Sequence, residues 1–139
     1  ILARKYRAAG GFIMTRQLLK GIRVLDFTDF LAGPYCGMYL ADMGADVIKV
    51  ENLTTGGNFV RNARPLEKNS GLSMYFQNLN RNKRGVAINL KTEDGKKLFS
   101  ELVKSADVLL ENNRPGVMGR LGFSLSLIHI SEPTRHLRI

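Results

Sequence analysis

Residues 21–51, GIRVLDFTDFLAGPYCGMYLADMGADVIKVE, form the stretch that decides the fold. The branched apolar run over residues 22–27 predicts a buried strand. Pro34 suits the first turn of a helix, where its missing N–H costs nothing, and the helix is expected to continue to Met43. A second strand follows over residues 45–51. Because the connections are short, the two strands are expected to lie parallel, joined by a right-handed crossover.

The alternation of strands and helices continues downstream. We predict a surface loop over 52–72, a short apolar turn or helix over 74–79, a strand over 86–90, a helix over 96–105, a strand over 107–112 and a short helix over 117–121. Thr92 is the expected N-cap before the longer helix, and Leu98, Leu102 and Val103 are its expected apolar face. This order predicts an α/β fold with a mostly parallel sheet.

Length and composition indicate one globular domain. The chain has 139 residues, of which 44% are apolar and 24% charged, and these are globular values. Its single cysteine, Cys36, excludes an internal disulfide framework. No run of 18 apolar residues occurs, so no membrane partner is expected. No metal site is expected either.

The net charge of +9 is concentrated near the start of the chain. Residues 1–23 hold six basic and no acidic residues, whereas residues 24–123 hold 13 basic and 11 acidic ones. A nucleic-acid-binding protein displays its basic patch on the folded domain. We therefore expect no nucleic-acid partner, although a basic binding module remains the third alternative.

Both ends of the chain differ from the middle. Residues 1–17 form a basic flank, and Met14 is the expected true start. Residues 124–139 interrupt the pattern without an element that closes a domain, so we expect a non-native or disordered tail. The expected domain, residues 18–123, lies between them.

Ligands of open α/β sheets bind beyond the carboxyl ends of the strands. Four segments are expected at that edge: Asp29–Pro34, the residues from Glu51 onward, Asn80–Arg84 and Asn112–Gly116. Neither GxGxxG nor GxxxxGK[ST] occurs, which disfavours nicotinamide dehydrogenases and P-loop nucleotidases. The basic turn Arg81–Arg84 suits a phosphate, and a solvated turn is the alternative interpretation.

Several ordered motifs resemble the class III CoA-transferases, also called the CaiB/BaiF type. They are GIRVLDFT at 21–28, AGP at 32–34, LADMGADVIKVE at 40–51, NKRG at 82–85, LKTEDG at 90–95 and ADVLLENNRPG at 106–116. The family includes formyl-CoA transferase, carnitine CoA-transferase and α-methylacyl-CoA racemase. The resemblance implies a Rossmann-like sheet that is the incomplete N-terminal part of a larger, interlocked-dimer fold.

The resemblance also implies an activity: transfer of CoA between an acyl-CoA thioester and a free carboxylic acid. An aspartate of such enzymes forms a mixed anhydride with the acyl group, and by the family pattern it lies beyond Gly122. We therefore expect no catalytic residue in this chain and no activity from it alone. Racemisation of α-methylacyl-CoA by the same family, or non-catalytic CoA binding, are the alternatives. The expected location is cytoplasmic, and the intact protein is expected to form a homodimer.

The residues that the resemblance carries over belong to a site for CoA. They are Phe30, Leu31, Ala32, Asn82, Lys83, Arg84, Asn112 and Arg120. Two positions depart from the family pattern. Leu31 stands where formyl-CoA transferase has glutamine, which disfavours oxalate and formate, and Asn52 stands where the family has a further arginine.

Overall fold

The computed structural model describes residues 17–123 and 135–138. Five strands form one sheet in the order β3-β2-β1-β4-β5, and every neighbouring pair is parallel. The strands are β1 Arg23–Phe27, β2 Asp46–Asn52, β3 Arg84–Ile88, β4 Val108–Glu111 and β5 Arg135–Arg138. The helices are α1 Ala32–Asp42, α2 Met74–Asn80, α3 Glu93–Lys104 and α4 Val117–Arg120. The predicted α/β class with a parallel sheet is confirmed.

The central strands β1, β2 and β4 are buried on both faces. Successive residues of a strand point to opposite faces, so Val24 packs in one cluster with Ala41 of α1, whereas its neighbour Leu25 packs in the other with Phe99 of α3. Burial on both sides is typical of parallel sheets. It explains why the central strands were recognisable as continuous apolar runs.

Helix α3 has the predicted N-cap but begins three residues before the predicted range, and of the three residues of its predicted apolar face Val103 and Leu102 pack on the core. The Oγ1 of Thr92 accepts a hydrogen bond from the N–H of Gly95 at 3.1 Å, which confirms the N-cap. Phe99 and Val103 are buried, whereas Leu98 is exposed. The prediction for Leu98 is wrong because successive helical residues are about 100° apart, and it is the residue next to it, Phe99, that faces the sheet.

Strand β3 begins two residues before the predicted strand. It lies at the edge of the sheet, next to β2 only, and Arg84, Gly85 and Ala87 are exposed. An edge strand needs no continuous apolar run, so a search for branched residues found only its second half. The region predicted as a loop over 52–72 contains two short 3-10 helices, Leu53–Thr55 and Phe59–Asn62.

Most of the two terminal segments lies outside the described residues. Met14 and all but one residue of the basic flank belong to the part that is not described. Of the expected tail, only the backbone of β5 is described, parallel to β4. The predictions for residues 1–17 and 124–139 stay predictions. Within the described ranges, no helix is both long and apolar enough to cross a membrane.

Candidate functional site

The loops that follow β1 and β4 are joined by a side-chain clamp. The Oδ1 of Asn112 accepts a hydrogen bond from the backbone N–H of Asp29 at 2.9 Å, and its Nδ2 donates to the backbone carbonyl of Asp29 at 2.8 Å. The side-chain amide of Asn112 thus bonds to the backbone of Asp29 as a peptide group of a neighbouring strand would. The pairing between β1 and β4 is in this way continued past the end of β4. The two hydrogen bonds fix the backbone of Asp29, two residues after the end of β1.

The loop after β2 joins the same edge. The Nδ2 of Asn58 donates to Oδ1 of Asp29 at 2.5 Å, and the backbone N–H of Asn58 donates to Oε2 of Glu51 at 2.7 Å. Arg61 donates to both oxygens of Glu51, each at 2.7 Å, and its guanidinium lies 4.0 Å from the ring centre of Phe76. Three strand ends are therefore connected at the carboxyl edge of the sheet.

Two carboxylates at this edge have shifted pKa values in opposite directions. Burial raises the pKa of Asp29, and the negative charges of Asp26 and Glu51 add to the effect against the attraction of Lys49. Burial also acts to raise the pKa of Glu51, but the hydrogen bonds from Arg61 and Asn58 outweigh it and lower the pKa below its usual range.

An aromatic pair occupies the surface of this edge. Phe30, the residue after Asp29, has a φ of +65°, in the left-handed region that bulky residues rarely adopt. Its ring meets the edge of the Phe59 ring, with centroids 4.7 Å apart and an interplanar angle of 61°. Both side chains are exposed, at 64% and 56%, and the neighbouring Leu31 is 53% exposed.

A buried charge cluster lies beneath the start of α1. Asp26, Lys49 and Lys83 have side chains that are at most 2% exposed. The Nζ of Lys83 donates to Oδ2 of Asp26 at 2.8 Å, to the carbonyl of Pro34 at 2.7 Å and to Oδ1 of Asn80 at 3.1 Å. Burial lowers the pKa of Lys83, against the attraction of Asp26.

This cluster also fixes the turn before α1. Lys49 donates to the carbonyl of Thr28 and lies 3.4 Å from Oδ1 of Asp26, and the hydroxyl of Thr28 bonds to the same carboxylate. With these contacts Asp26 serves as a structural carboxylate that joins β1 to its surroundings. The three N–H groups of Lys83 all have partners here, so its predicted contact with CoA stays a prediction that requires one of them to break.

The rest of the basic turn lies at the amino ends of the strands, which we call the amino edge of the sheet. Arg81 and Asn82 each donate to Asp42, the last residue of α1, at 2.6 Å. Arg84 donates to both oxygens of Asp46, the first residue of β2, at 2.8 and 2.7 Å. The expectation that Asn80–Arg84 lies at the carboxyl edge is therefore wrong, because a segment that precedes a parallel strand lies at the amino end of that strand.

The eight predicted site residues thus fall into four places. Phe30, Leu31, Ala32 and Asn112 lie at the carboxyl edge, Asn82 and Arg84 at the amino edge, Lys83 in the buried cluster and the exposed Arg120 at the end of α4. Asn58, Phe59 and Arg61 were not predicted. A signal was available, since they belong to a long loop after a strand, and such loops are often functional. Among the described residues, no group of three or more side chains is arranged to hold a metal ion.

Comparisons with known proteins identify a family. Residues 19–133 match the model of CoA-transferase family III. The chain is 43% identical over 117 residues to the formyl-CoA:oxalate CoA-transferase of Afipia carboxidovorans, covering 84% of this chain and 27% of that protein. It is 47% identical over 118 residues to the succinyl-CoA:mesaconate CoA-transferase of Haloarcula marismortui, covering 83% of this chain and 29% of that protein.

Solved structures agree with these matches. The hypothetical protein Rv3272 of Mycobacterium tuberculosis superposes with a TM-score of 0.77 and 41% identity, covering 86% of this chain and 32% of that one. A CaiB/BaiF family protein of Brucella suis gives a TM-score of 0.77 at 32% identity, with the same coverage. The chain thus spans between a quarter and a third of the length of these relatives.

Proposed function

Because this chain belongs to CoA-transferase family III, we propose that the intact protein containing it moves CoA between an acyl-CoA thioester and a free carboxylic acid. The family match over residues 19–133 is the observation that carries the proposal. Two relatives of this chain bear the names of such transferases, for formyl-CoA with oxalate and for succinyl-CoA with mesaconate.

The proposed chemistry needs a carboxylate nucleophile beyond Gly122. An aspartate oxygen attacks the thioester carbonyl, the C–S bond breaks, and the CoA thiolate leaves behind a mixed anhydride. The thiolate then attacks the aspartyl carbonyl, which releases the donor acid and forms an enzyme thioester. The acceptor acid takes over the CoA by the same two steps in reverse order. Covalent catalysis of this kind divides one difficult exchange into easier steps.

The role proposed for this chain is to supply part of the CoA-binding surface. Phe30, Leu31, Ala32 and Asn112 lie at the carboxyl edge of the sheet, where open α/β sheets bind ligands. Asn82, Lys83, Arg84 and Arg120 are the further proposed contacts. Arg84 and Arg120 are exposed, and arginine binds phosphate through two parallel hydrogen bonds. CoA is long, with its thioester and its phosphates at opposite ends, which suits contacts at both edges.

The proposal extends to the setting of the intact protein. We propose a homodimer that acts in the cytoplasm on acyl-CoA and a carboxylic acid, with no metal and with neither nucleic acid nor a membrane as partner. Light scattering of the intact protein tests the dimer. A DNA-binding titration at two salt concentrations tests the exclusion of nucleic acid, because phosphate-driven binding must weaken as salt rises.

The decisive experiment uses the uninterrupted gene, read beyond codon 123 and expressed as the intact protein. The expected result is exchange of CoA between a thioester and an isotopically labelled acid, abolished when the aspartate beyond Gly122 is changed to alanine. Exchange of the α-proton with solvent deuterium, without CoA transfer, would identify a racemase instead. CoA binding with neither activity would leave a non-catalytic binding protein.

A further inference from the structure

We propose that Asn58 is a positioning residue for CoA: acting through Asp29, it holds residues 30–32 in the conformation that binds CoA. The inference rests on the proposed function, because residues 30–32 are among the proposed contacts with CoA. It adds a residue to the eight that the family resemblance carries over. Asn58 exerts this effect without touching CoA itself.

The side chain of Asn58 is buried and connects three parts of the carboxyl edge. Only 6% of the residue is exposed. Its Oδ1 accepts from the N–H of Val60 at 3.0 Å, which caps the short helix Phe59–Asn62. Its backbone N–H donates to Glu51 at 2.7 Å, and its Nδ2 donates to Asp29 at 2.5 Å. Because a buried amide is costly to leave unsatisfied, these bonds define one orientation of the side chain.

Glu51 anchors Asn58 firmly at the end of β2. Both oxygens of Glu51 are bound by Arg61, each at 2.7 Å, and the Glu51 side chain is 6% exposed. A bidentate pair of arginine and carboxylate fixes the relative geometry of the two groups. The hydrogen bond from Asn58 to Asp29 therefore ties the loop after β1 to a fixed point on the neighbouring strand.

Residues 30–32 require such a tie, because their backbone begins with an unfavourable conformation. Phe30 has a φ of +65°, which bulky residues rarely adopt. Conformations of this kind persist only where the surrounding structure enforces them. Asn112 holds the backbone of Asp29, and Asn58 holds its side chain. The residue before the strained position is thus held from two neighbouring strands.

Loss of the tie from Asn58 should weaken CoA binding without slowing the reaction at saturation. If the segment adopts the binding conformation for only a fraction of the time, the apparent dissociation constant rises by the inverse of that fraction. Once CoA is bound, the segment is in place, so kcat is preserved. A residue needed only for folding would instead reduce the amount of active protein, which lowers kcat and leaves KM constant.

The first variant of the intact protein is Asn58→Ser. Serine also caps helices, but its side chain is too short to reach Asp29. Calorimetry measures the dissociation constant of free CoA, and exchange into labelled acid gives KM and kcat with whichever of acetyl-, octanoyl- and succinyl-CoA the wild type exchanges fastest. The dissociation constant and KM are expected to rise about tenfold, as for loss of a hydrogen bond to a charged group. The expected change in kcat is less than about twofold.

The second variant exchanges the roles of the two side chains. Asn58→Asp alone places two carboxylates against each other and should weaken CoA binding at least about tenfold. Combined with Asp29→Asn, it restores a hydrogen bond between amide and carboxylate, and aspartate at position 58 still caps the short helix. The double variant is therefore expected to bind CoA within about twofold of the wild type.

Asn62→Asp provides a matched control. Asn62 is exposed at the other end of the same short helix and receives the same charge, and its CoA affinity should equal that of the wild type. The inference would be overturned by unchanged CoA affinity in Asn58→Ser, by a loss of kcat at constant KM, or by weak binding in the double variant. The double variant decides alone if Asn58→Ser does not fold. If the wild-type protein neither exchanges nor binds CoA, the proposed function itself fails.

Discussion

A single glycine makes room for the buried charges beneath α1. A Cβ atom at Gly37 would lie 2.7 Å from Oδ2 of Asp26 and 3.2 Å from Nζ of Lys83. These are the two atoms whose hydrogen bond joins β1 to the turn before β3. The side chains are fully buried, so neither can move aside into solvent. The buried ion pair therefore requires a residue without a Cβ atom at position 37.

We expect Gly37→Ala to destabilise the protein by about 1–3 kcal/mol, the usual penalty for adding a methyl group to a filled site. The free energy of unfolding, measured by urea denaturation, checks this prediction. Gly119→Ala is the control, because a Cβ atom at Gly119 of α4 would meet nothing within 4 Å. An equal effect of the two substitutions would contradict the proposed steric conflict.

Glu51 is expected to make stability depend on pH. Its pKa in the folded state is lowered from the usual 4.5, through Arg61 and the N–H of Asn58 against the effect of burial. A lowered folded pKa stabilises the protein above the unfolded pKa, and the contribution is lost as the pH falls through the folded value. The stability difference between wild type and Glu51→Gln should thus be full at pH 7 and shrink below about pH 4.5.

Urea denaturation of both proteins between pH 3 and pH 7 measures this difference. Arg61→Met is the control, since it removes the main hydrogen-bonding partner of Glu51 and should largely remove the pH-dependent contribution of that carboxylate. A difference between wild type and Glu51→Gln that is the same at every pH would show that the folded pKa of Glu51 is not lowered.

The elements show which parts of the fold could be predicted from the sequence. β1, β2 and β4 are central strands buried on both faces, so their apolar runs revealed them. The predicted range of β3 started two residues too late, because an edge strand tolerates exposed residues such as Arg84 and Gly85. Asn58 and Phe59 were missed for a different reason: their partners lie on β2 and beyond β1, and local patterns do not reveal contacts of that range.

The N-cap of α3 offers a prediction at this scale. The hydroxyl of Thr92 accepts from Gly95 and donates to the carbonyl of Asn89. Thr92→Ala should reduce the free energy of unfolding by about 1 kcal/mol, since it leaves a helix N–H without this partner. Thr92→Ser, which keeps the hydroxyl, should preserve most of the stability. Urea denaturation distinguishes the two variants, and equal losses would rule out capping as the cause.

At the scale of the whole molecule, the eight site residues predicted from the family resemblance do not form one cluster. Four lie at the carboxyl edge and two at the amino edge, Lys83 is buried between α1 and the sheet, and Arg120 is exposed at the end of α4. The family resemblance itself is confirmed by the match over residues 19–133, whereas the contacts of these residues with CoA stay predictions. It did not reveal that a buried aspartate engages the central lysine of the basic turn.

The 139-residue chain by itself is expected to show no CoA exchange, because the proposed nucleophile lies beyond Gly122. The measurement is exchange of CoA into a labelled acid, with the isolated chain and the intact protein compared at equal molar concentration. The intact protein carrying alanine at the proposed nucleophile is the control and should behave like the isolated chain. Exchange catalysed by the isolated chain would refute the placement of the nucleophile.

The buried charge cluster restricts which substitutions can be accepted at its positions during evolution. Asp26 lies at its centre, 3.4 Å from the Nζ of Lys49 and 2.8 Å from that of Lys83, and removing one member of a buried ion pair costs more than replacing the whole set by apolar side chains. Gly37 is constrained by the same carboxylate. Proteins that descend from this gene should therefore keep all four of these residues or replace all four. They are Asp26, Lys49, Lys83 and Gly37. Single replacements among them should be rarer than at the exposed pair of Arg81 and Asp42.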